Sequence, residues 1–171
     1  MNTSTRTILQ VGDKAPMFTI PTTDIGEISL TSLLGNPFVL YFYPKDDTPG
    51  CTREACDFQD ALPQFATLRI QVIGVSRDGT ASHVRFKRKH GLDFPLGTDA
   101  NGEICDRYGV WVEKKHFNKQ YMGIERSTFL IDGEGIIRAL WRKVRVAGHV
   151  DEVKQAASAI INIWASNDPH F

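Results

Sequence analysis

Two cysteines five positions apart, Cys51 and Cys56, stand in the segment YPKDDTPGCTREACDF, residues 43–58. A thiol acts as a nucleophile only as its thiolate, and with an unperturbed pKa of about 8.5 it is mostly protonated at neutral pH. The neighbouring residues offer ways to change that. Pro44 closes an apolar run, Pro49-Gly50 follows, and a helical period begins near Cys51. Cys51 is therefore expected in the first turn of a helix, beside unsatisfied backbone N–H groups and the positive end of the helix dipole. Gly50 lets the backbone approach a ligand closely. Thr48, three residues before Cys51, offers a hydroxyl that can both donate and accept.

The same spacing bears on three readings: a disulfide staple, half a metal site, or a reactive thiol with a partner. On one regular helix the two cysteines stand about 140° apart around the axis and about 7.5 Å apart along it. Their Cα atoms are then roughly 8–9 Å apart, beyond the roughly 7 Å limit for a disulfide. A bridge can form only if the helix unwinds, which suits a transient catalytic disulfide better than a structural one. Structural zinc favours a closer cysteine pair followed by a second ligand pair. Cys105, His83, His90, His116 and His149 are scattered without such a pair. His83 and His90, seven residues apart, are read as solvated positions on one helix.

The elements that must hold these residues can be read from the surrounding pattern. Phe18–Ile20 and Glu27–Leu30 flank a turn-like TTDIG and suggest a hairpin. PFVLYFYP (Pro37–Pro44) is short, aromatic and β-branched, and reads as a buried central strand. From Cys51 to about Arg69, apolar residues recur every three or four positions, with Pro63 expected to kink the helix or end it early. Ile70–Ser76 is a second buried strand, and Thr80–His90 a helix stopped by Gly91. FPLGTD gives a short extended piece, Asn101–Tyr108 a short helix, and Ser127–Lys143 a hairpin around Asp132-Gly133-Glu134-Gly135. His149 to about Ala165 is an amphipathic helix that includes Trp164. The expected organisation is a flexible leader over residues 1–10, one domain over 11–165 and a tail over 166–171. Strand, helix, strand, helix, hairpin and closing helix together predict a three-layer α/β fold with a central mixed β-sheet flanked by helices. Its core is thioredoxin-like, with the cysteine pair at the carboxyl end of the first central strand.

The whole chain narrows the function classes. At 171 residues, with 42% apolar and 23% charged residues, it fits one globular domain. Lys plus Arg balances Asp plus Glu at 20 each, which argues against a nucleic-acid binder. Arg85–His90 (RFKRKH) is the one basic run, read as a solvated helix face. The start lacks the pattern of a signal peptide, and no apolar stretch approaches the roughly 20 residues that span a bilayer. A cytoplasmic protein is expected, where a close cysteine pair is more readily catalytic or metal-binding than structural.

The stretch FVLYFYPKDDTPGCTREACDF resembles the active site of the peroxiredoxins, and within them the bacterioferritin comigratory protein, or peroxiredoxin Q, group. The family pattern of proline, three residues, threonine or serine, two residues and cysteine is matched by Pro44, Thr48 and Cys51. The group's further cysteine is matched by Cys56, and GVS, FPLGTD, YGVW, KKHFNKQYMGIERSTFLID and WRKVRVAGHVDEV follow in the group's order. The resemblance implies a peroxidase that reduces hydrogen peroxide and organic hydroperoxides in antioxidant defence. Cys51 would be the peroxidatic cysteine and Thr48 would hydrogen-bond thiolate and peroxide. Pro44 would shield the pocket, and Arg126 would be the active-site arginine. Cys56 would resolve the sulfenic acid as an intramolecular disulfide, recycled by thioredoxin or a similar dithiol, in a monomer with no cofactor or metal. Glu54, three residues after Cys51, could pair with Arg126 and orient it. Cys105 matches no motif and is expected to be a buried bystander. Two alternatives stay open on residues alone. A thioredoxin-like disulfide oxidoreductase is disfavoured by the lack of C-x-x-C, and a redox sensor would signal through unwinding of the cysteine helix.

Overall fold

The structure, a computed structural model, describes residues 8–167, and side chains as far as residue 161. The predicted leader (residues 1–7 of it) and the last four residues of the predicted tail lie outside the described residues, as does the side chain of Trp164. In chain order, β1 (Thr19–Pro21) and β2 (Glu27–Ser29) form the early hairpin, followed by a single turn, α1 (Leu30–Leu33), whose start Ser29 and Ser32 cap reciprocally. Then come β3 (Phe38–Phe42), α2 (Pro49–Thr67), β4 (Gln71–Ser76), α3 (Thr80–His90), β5 (Leu96–Thr98) and α4 (Glu103–Arg107). The second half holds β6 (Trp111–His116), β7 (Lys119–Ile124), β8 (Ser127–Ile131), β9 (Ile137–Trp141) and α5 (His149–Asn167).

Five strands form the central sheet in the order β5-β4-β3-β8-β9. β3 runs parallel to β4 and antiparallel to β8, with Leu40 opposite Ile73 on one side and Phe129 on the other. A parallel unit extended by an antiparallel hairpin gives the mixed sheet expected of the sequence. Every residue of β3 is buried, because both faces of the sheet are covered. On one face Val39, Tyr41 and Leu130 meet α2, α5 and Phe86 of α3. On the other, Phe38, Leu40, Phe42 and Phe129 meet the β1–β2 hairpin and Ile104, Cys105 and Tyr108 at α4. Phe58 fixes α2 to the sheet: its ring stacks on Tyr41 at a centroid distance of 4.5 Å. Burial of such a side chain contributes about 1.5–3 kcal/mol. Gly74 in β4 is required by this packing, since a Cβ there would come within 2.9 Å of the Tyr41 hydroxyl and ring and of Leu96.

Three expectations are corrected. α2 neither ends early nor stops at Pro63 but continues through it to Thr67. Pro63 lies on the exposed side of the helix, so the hydrogen bond that its missing N–H forfeits falls where water can reach the free carbonyl. His83 is not a solvated residue; it is fully buried and paired with Asp46. The basic run at the end of α3 is only partly a solvated face, because Lys87 is buried and its ammonium is bound by Asp24 and the Phe94 carbonyl. An additional hairpin, β6–β7, projects from the domain with Lys114 opposite Tyr121. Its two-residue loop is Phe117-Asn118, both at positive φ.

Candidate active site

The central strand β3 ends at the carboxyl end of its parallel pair with β4, a six-residue passage (residues 43–48) turns the chain, and α2 leaves at Pro49. Thr48 is the N-cap in extended conformation, Pro49 occupies the first helical position, and Cys51 the third. Proline suits that first position because its φ is already helical and no N–H is wanted there. The turn closes through Asp47, a non-glycine residue at φ 56°. Pro44 is half-buried at the strand exit. The Thr48 hydroxyl donates to the Lys45 carbonyl at 2.8 Å rather than to the Cys51 sulfur.

Cys51 is 2% exposed. Arg126, in the link between β7 and β8, reaches across to it, and Nη2 donates to Sγ at 3.4 Å. The other arm of the same guanidinium, Nη1, donates to Oε1 of Glu54 at 2.8 Å. Cys51 and Glu54 are three residues apart on α2, so one helix face presents both acceptors to the arginine fork. Gly50 makes that approach possible: a Cβ there would stand 3.1 Å from Nη2 of Arg126. The close approach foreseen for Gly50 is thus made by an arginine of the same chain. Burial works against the charge on Arg126, but Glu54 and Cys51 together hold its pKa above the ordinary value.

Glu54 is fully buried, and burial pushes its carboxyl up to about 7 although Arg126 pulls the other way. Among the described residues its second oxygen, Oε2, has no partner. Lys114 of β6 is a further cation near the site; burial and Arg126 lower its pKa, while Cys51 and Glu125 raise it. On β8, Thr128 meets Nε2 of buried His149 at 2.7 Å, fixing the start of α5 near the arginine. Burial and then Arg126 hold His149 down at about 4, so it is neutral near pH 7.

Cys56 lies on the same helix, half-buried, and all three cysteines are free thiols. Burial first, then Asp60 and Asp57, push the Cys56 thiol above its ordinary value. The two thiols have different surroundings. Cys51, in the first turn of α2, meets a guanidinium, whereas Cys56 lies near the carboxylates of Asp57 and Asp60. Cys105 is buried on the far face of the sheet, its thiol pushed up by burial and Asp99.

The structure thus brings Cys51, Glu54 and Arg126 into direct contact, with Thr48 and Pro44 in the adjoining passage and Cys56 one and a half turns along α2. The sequence reading missed Lys114 and the buried group Tyr43, Asp46 and His83. Asp46 carried the only signal, a carboxylate in the motif itself. Apart from Tyr43, three positions before it, its partners stand 32 to 37 positions away, too far for any local pattern.

A buried thiol at a helix start under an arginine has donors for an anionic sulfur, and the chain can be compared with known proteins. The AhpC/TSA family profile matches residues 11–140. The chain belongs to the AhpC/TSA family. With that membership it is a thiol-dependent peroxidase, an oxidoreductase with the thioredoxin-like fold of the peroxiredoxins. It is 52% identical to a putative peroxiredoxin of Coxiella burnetii over 145 residues, 85% of this chain and 96% of that one. It is 50% identical to peroxiredoxin Bcp of Bacillus subtilis over 148 residues, 86% and 94% of the two chains. Among solved structures, PrxQ of Xylella fastidiosa, as a cysteine-to-serine mutant, superposes with a TM-score of 0.84 at 37% identity, covering 88% of this chain and 96% of that one. The bacterioferritin comigratory protein of Xanthomonas campestris, solved in connection with its alkyl peroxide reduction activity, gives 0.80 at 42% identity over 84% and 92%.

Proposed function

We propose that Cys51 is the peroxidatic cysteine of this peroxidase, that Cys56 resolves it within the same chain, and that thioredoxin or a similar dithiol returns the enzyme to its reduced state. The Cys51 thiolate attacks the distal oxygen of a hydroperoxide. The O–O bond breaks, the sulfur takes the OH and becomes a sulfenic acid, and the departing alkoxide or hydroxide takes from solvent the proton that the thiol had released, leaving as an alcohol or water. Arg126, donating to the sulfur through Nη2, lies where it can stabilise both the thiolate and the developing charge on the leaving oxygen. The Thr48 hydroxyl, while donating to Lys45, keeps its lone pairs available to accept from the peroxide O–H. Pro44 keeps water from the pocket, and Glu54 holds the arginine in register.

The Cys56 thiol then displaces water from the sulfenic acid, giving the Cys51–Cys56 disulfide and protecting Cys51 from irreversible overoxidation. Two positions five apart on an intact helix are too distant to bond, so the first turns of α2 open in each cycle. A dithiol reduces the disulfide, and its own two thiols become a disulfide. The alkyl peroxide reduction by the Xanthomonas campestris relative supports organic hydroperoxides as substrates beside hydrogen peroxide. Resolution within one chain needs no second subunit, so the enzyme acts as a monomer. Dependence on a cellular dithiol supports a cytoplasmic enzyme; among the described residues no helix is long and apolar enough to cross a membrane.

The observation that carries this reading is the 3.4 Å contact between Arg126 Nη2 and Cys51 Sγ at the third residue of α2. Peroxide consumption with thioredoxin and its reductase as the recycling system tests it. Cys51→Ser should consume no peroxide, and Cys56→Ser should react once and stop. Turnover by Cys51→Ser at the wild-type rate would move the chemistry to another thiol.

A further inference from the structure

The proposed cycle opens α2 but needs Pro44 and Thr48 in place for the next peroxide. The side-chain hydrogen bonds that hold their passage from outside do not come from α2. Asp46, in its middle, is 7% exposed and engages four groups. Oδ1 accepts from the Tyr43 hydroxyl at 2.6 Å, and Oδ2 from the Ser82 hydroxyl at 2.8 Å and from Nδ1 of His83 at 2.7 Å. Its backbone N–H donates to Asp78 Oδ2 at 2.9 Å, and that carboxylate is itself bound by the Ser76 hydroxyl at 2.7 Å. His83 is fully buried, and its Nε2 faces the Gly97 carbonyl at 3.1 Å. The His83 ring is thus held from both sides, by the Asp46 carboxylate and by the Gly97 carbonyl. The next residue repeats the pattern at the surface: Asp47 accepts from Lys89 at 2.8 Å and from His90 at 2.9 Å. Two consecutive aspartates thus fasten the passage to both ends of α3, and every side-chain partner outside the passage lies on β4, its following turn or α3. None lies on α2.

We infer that α3, through Ser82, His83, Lys89 and His90 acting on Asp46 and Asp47, is a clamp that positions the Pro44–Thr48 passage over Cys51 and keeps it there while α2 opens and reforms. Asp46 and His83 are positioning residues: they touch neither sulfur nor peroxide. Buried hydrogen-bonded networks of this kind specify one backbone arrangement, and the strained conformation at Asp47 persists only because its surroundings enforce it. The clamp gives a purpose to the paired aspartates, the two histidines of α3 and the basic end of that helix, none of which the peroxidase chemistry itself uses. Its second half rests on the reading that α2 opens on oxidation.

Replacements at His83 separate positioning from mere stability. Asparagine places an amide N–H where Nδ1 stands and can still donate to Asp46, whereas leucine cannot. The rate constant for oxidation of reduced protein by hydrogen peroxide, in single-turnover mixing, should fall about tenfold in Asp46→Asn and His83→Leu and stay within about threefold of wild type in His83→Asn. The two His83 variants should show similarly lowered unfolding temperatures. Equal slowing by asparagine and leucine, or a wild-type rate in Asp46→Asn, would overturn the positioning role. Amide exchange in the peroxide-oxidised wild type tests the second half: the Asp46 amide should stay protected while amides early in α2 become exchangeable. Loss of protection at both places refutes the clamp. Protection retained along α2 contradicts helix opening itself, and the rate comparison then still decides whether Asp46 is held for the peroxide step.

Discussion

Replacing Glu54 with glutamine should remove a pH dependence of stability that the burial of this carboxylate imposes. Glutamine keeps an oxygen for Nη1 of Arg126, now 2.8 Å from Oε1, and puts an amide where Oε2 has no partner among the described residues. In the wild type burial raises the folded-state pKa from 4.5 to about 7. The folded protein therefore binds this proton more tightly than the unfolded chain does. The stabilisation is fully present below pH 4.5 and is lost as the pH rises through 7. That difference is worth about 3 kcal/mol, most of it lost by pH 8. Glu54 is fully buried, so solvent screening does little to reduce this figure. Urea unfolding of both proteins at pH 5 and pH 8 isolates the effect, because every other titrating group cancels in the difference. The stability of Glu54→Gln relative to wild type should rise by about 2–3 kcal/mol between the two pH values. A difference that is the same at both pH values would show that Arg126 fully offsets the burial of Glu54, and the reasoning would fail.

His149 gives the opposite slope. Its folded-state pKa is depressed from 6.5 to about 4, so its contribution is present above pH 6.5 and is lost as the pH falls towards 4, by at most about 3 kcal/mol. Urea unfolding of His149→Gln should lack that loss and leave the Glu54 slope visible between pH 4.5 and 6.5, where the two nearly cancel in the wild type. Gly50→Ala should separate rate from stability: alanine suits a helix better than glycine, but its Cβ would stand 3.1 Å from Nη2 of Arg126. Displacing the guanidinium by a few tenths of an ångström should slow peroxide oxidation of Cys51 about 3- to 10-fold, with the unfolding temperature unchanged or slightly raised; an unaltered rate would mean that Arg126 shifts without consequence.

The parts of this molecule that local patterns specify could be read from the sequence. β3 announces itself by its unbroken apolar run, Cys51 at the start of α2 follows from Pro49-Gly50 and the period that begins there, and Gly91 at φ 63° ends α3 as expected. Glu54, three residues after Cys51, reads as a carboxylate that could pair with Arg126 or simply sit in a helical first turn, and the fold makes the pair. What escaped depends on partners distant in sequence or on unusual turn chemistry. The β6–β7 hairpin turns on Phe117-Asn118, and a phenylalanine at positive φ gives none of the signal that glycine would. Histidine on a helix reads as solvated until the fold sets Asp46, 37 positions earlier, against His83. The passage of α2 through Pro63 depends on which side of the helix faces water, which only the packed sheet decides.

The central claim is that Cys51 and Cys56, apart on an intact helix, join within one chain after a single peroxide has reacted. Peptide mapping of protein oxidised with one equivalent of hydrogen peroxide tests it most directly. The predicted product is a Cys51–Cys56 disulfide in monomeric protein, with Cys105 still a free thiol. A Cys51–Cys105 bridge, or a disulfide found only between two chains, would contradict it.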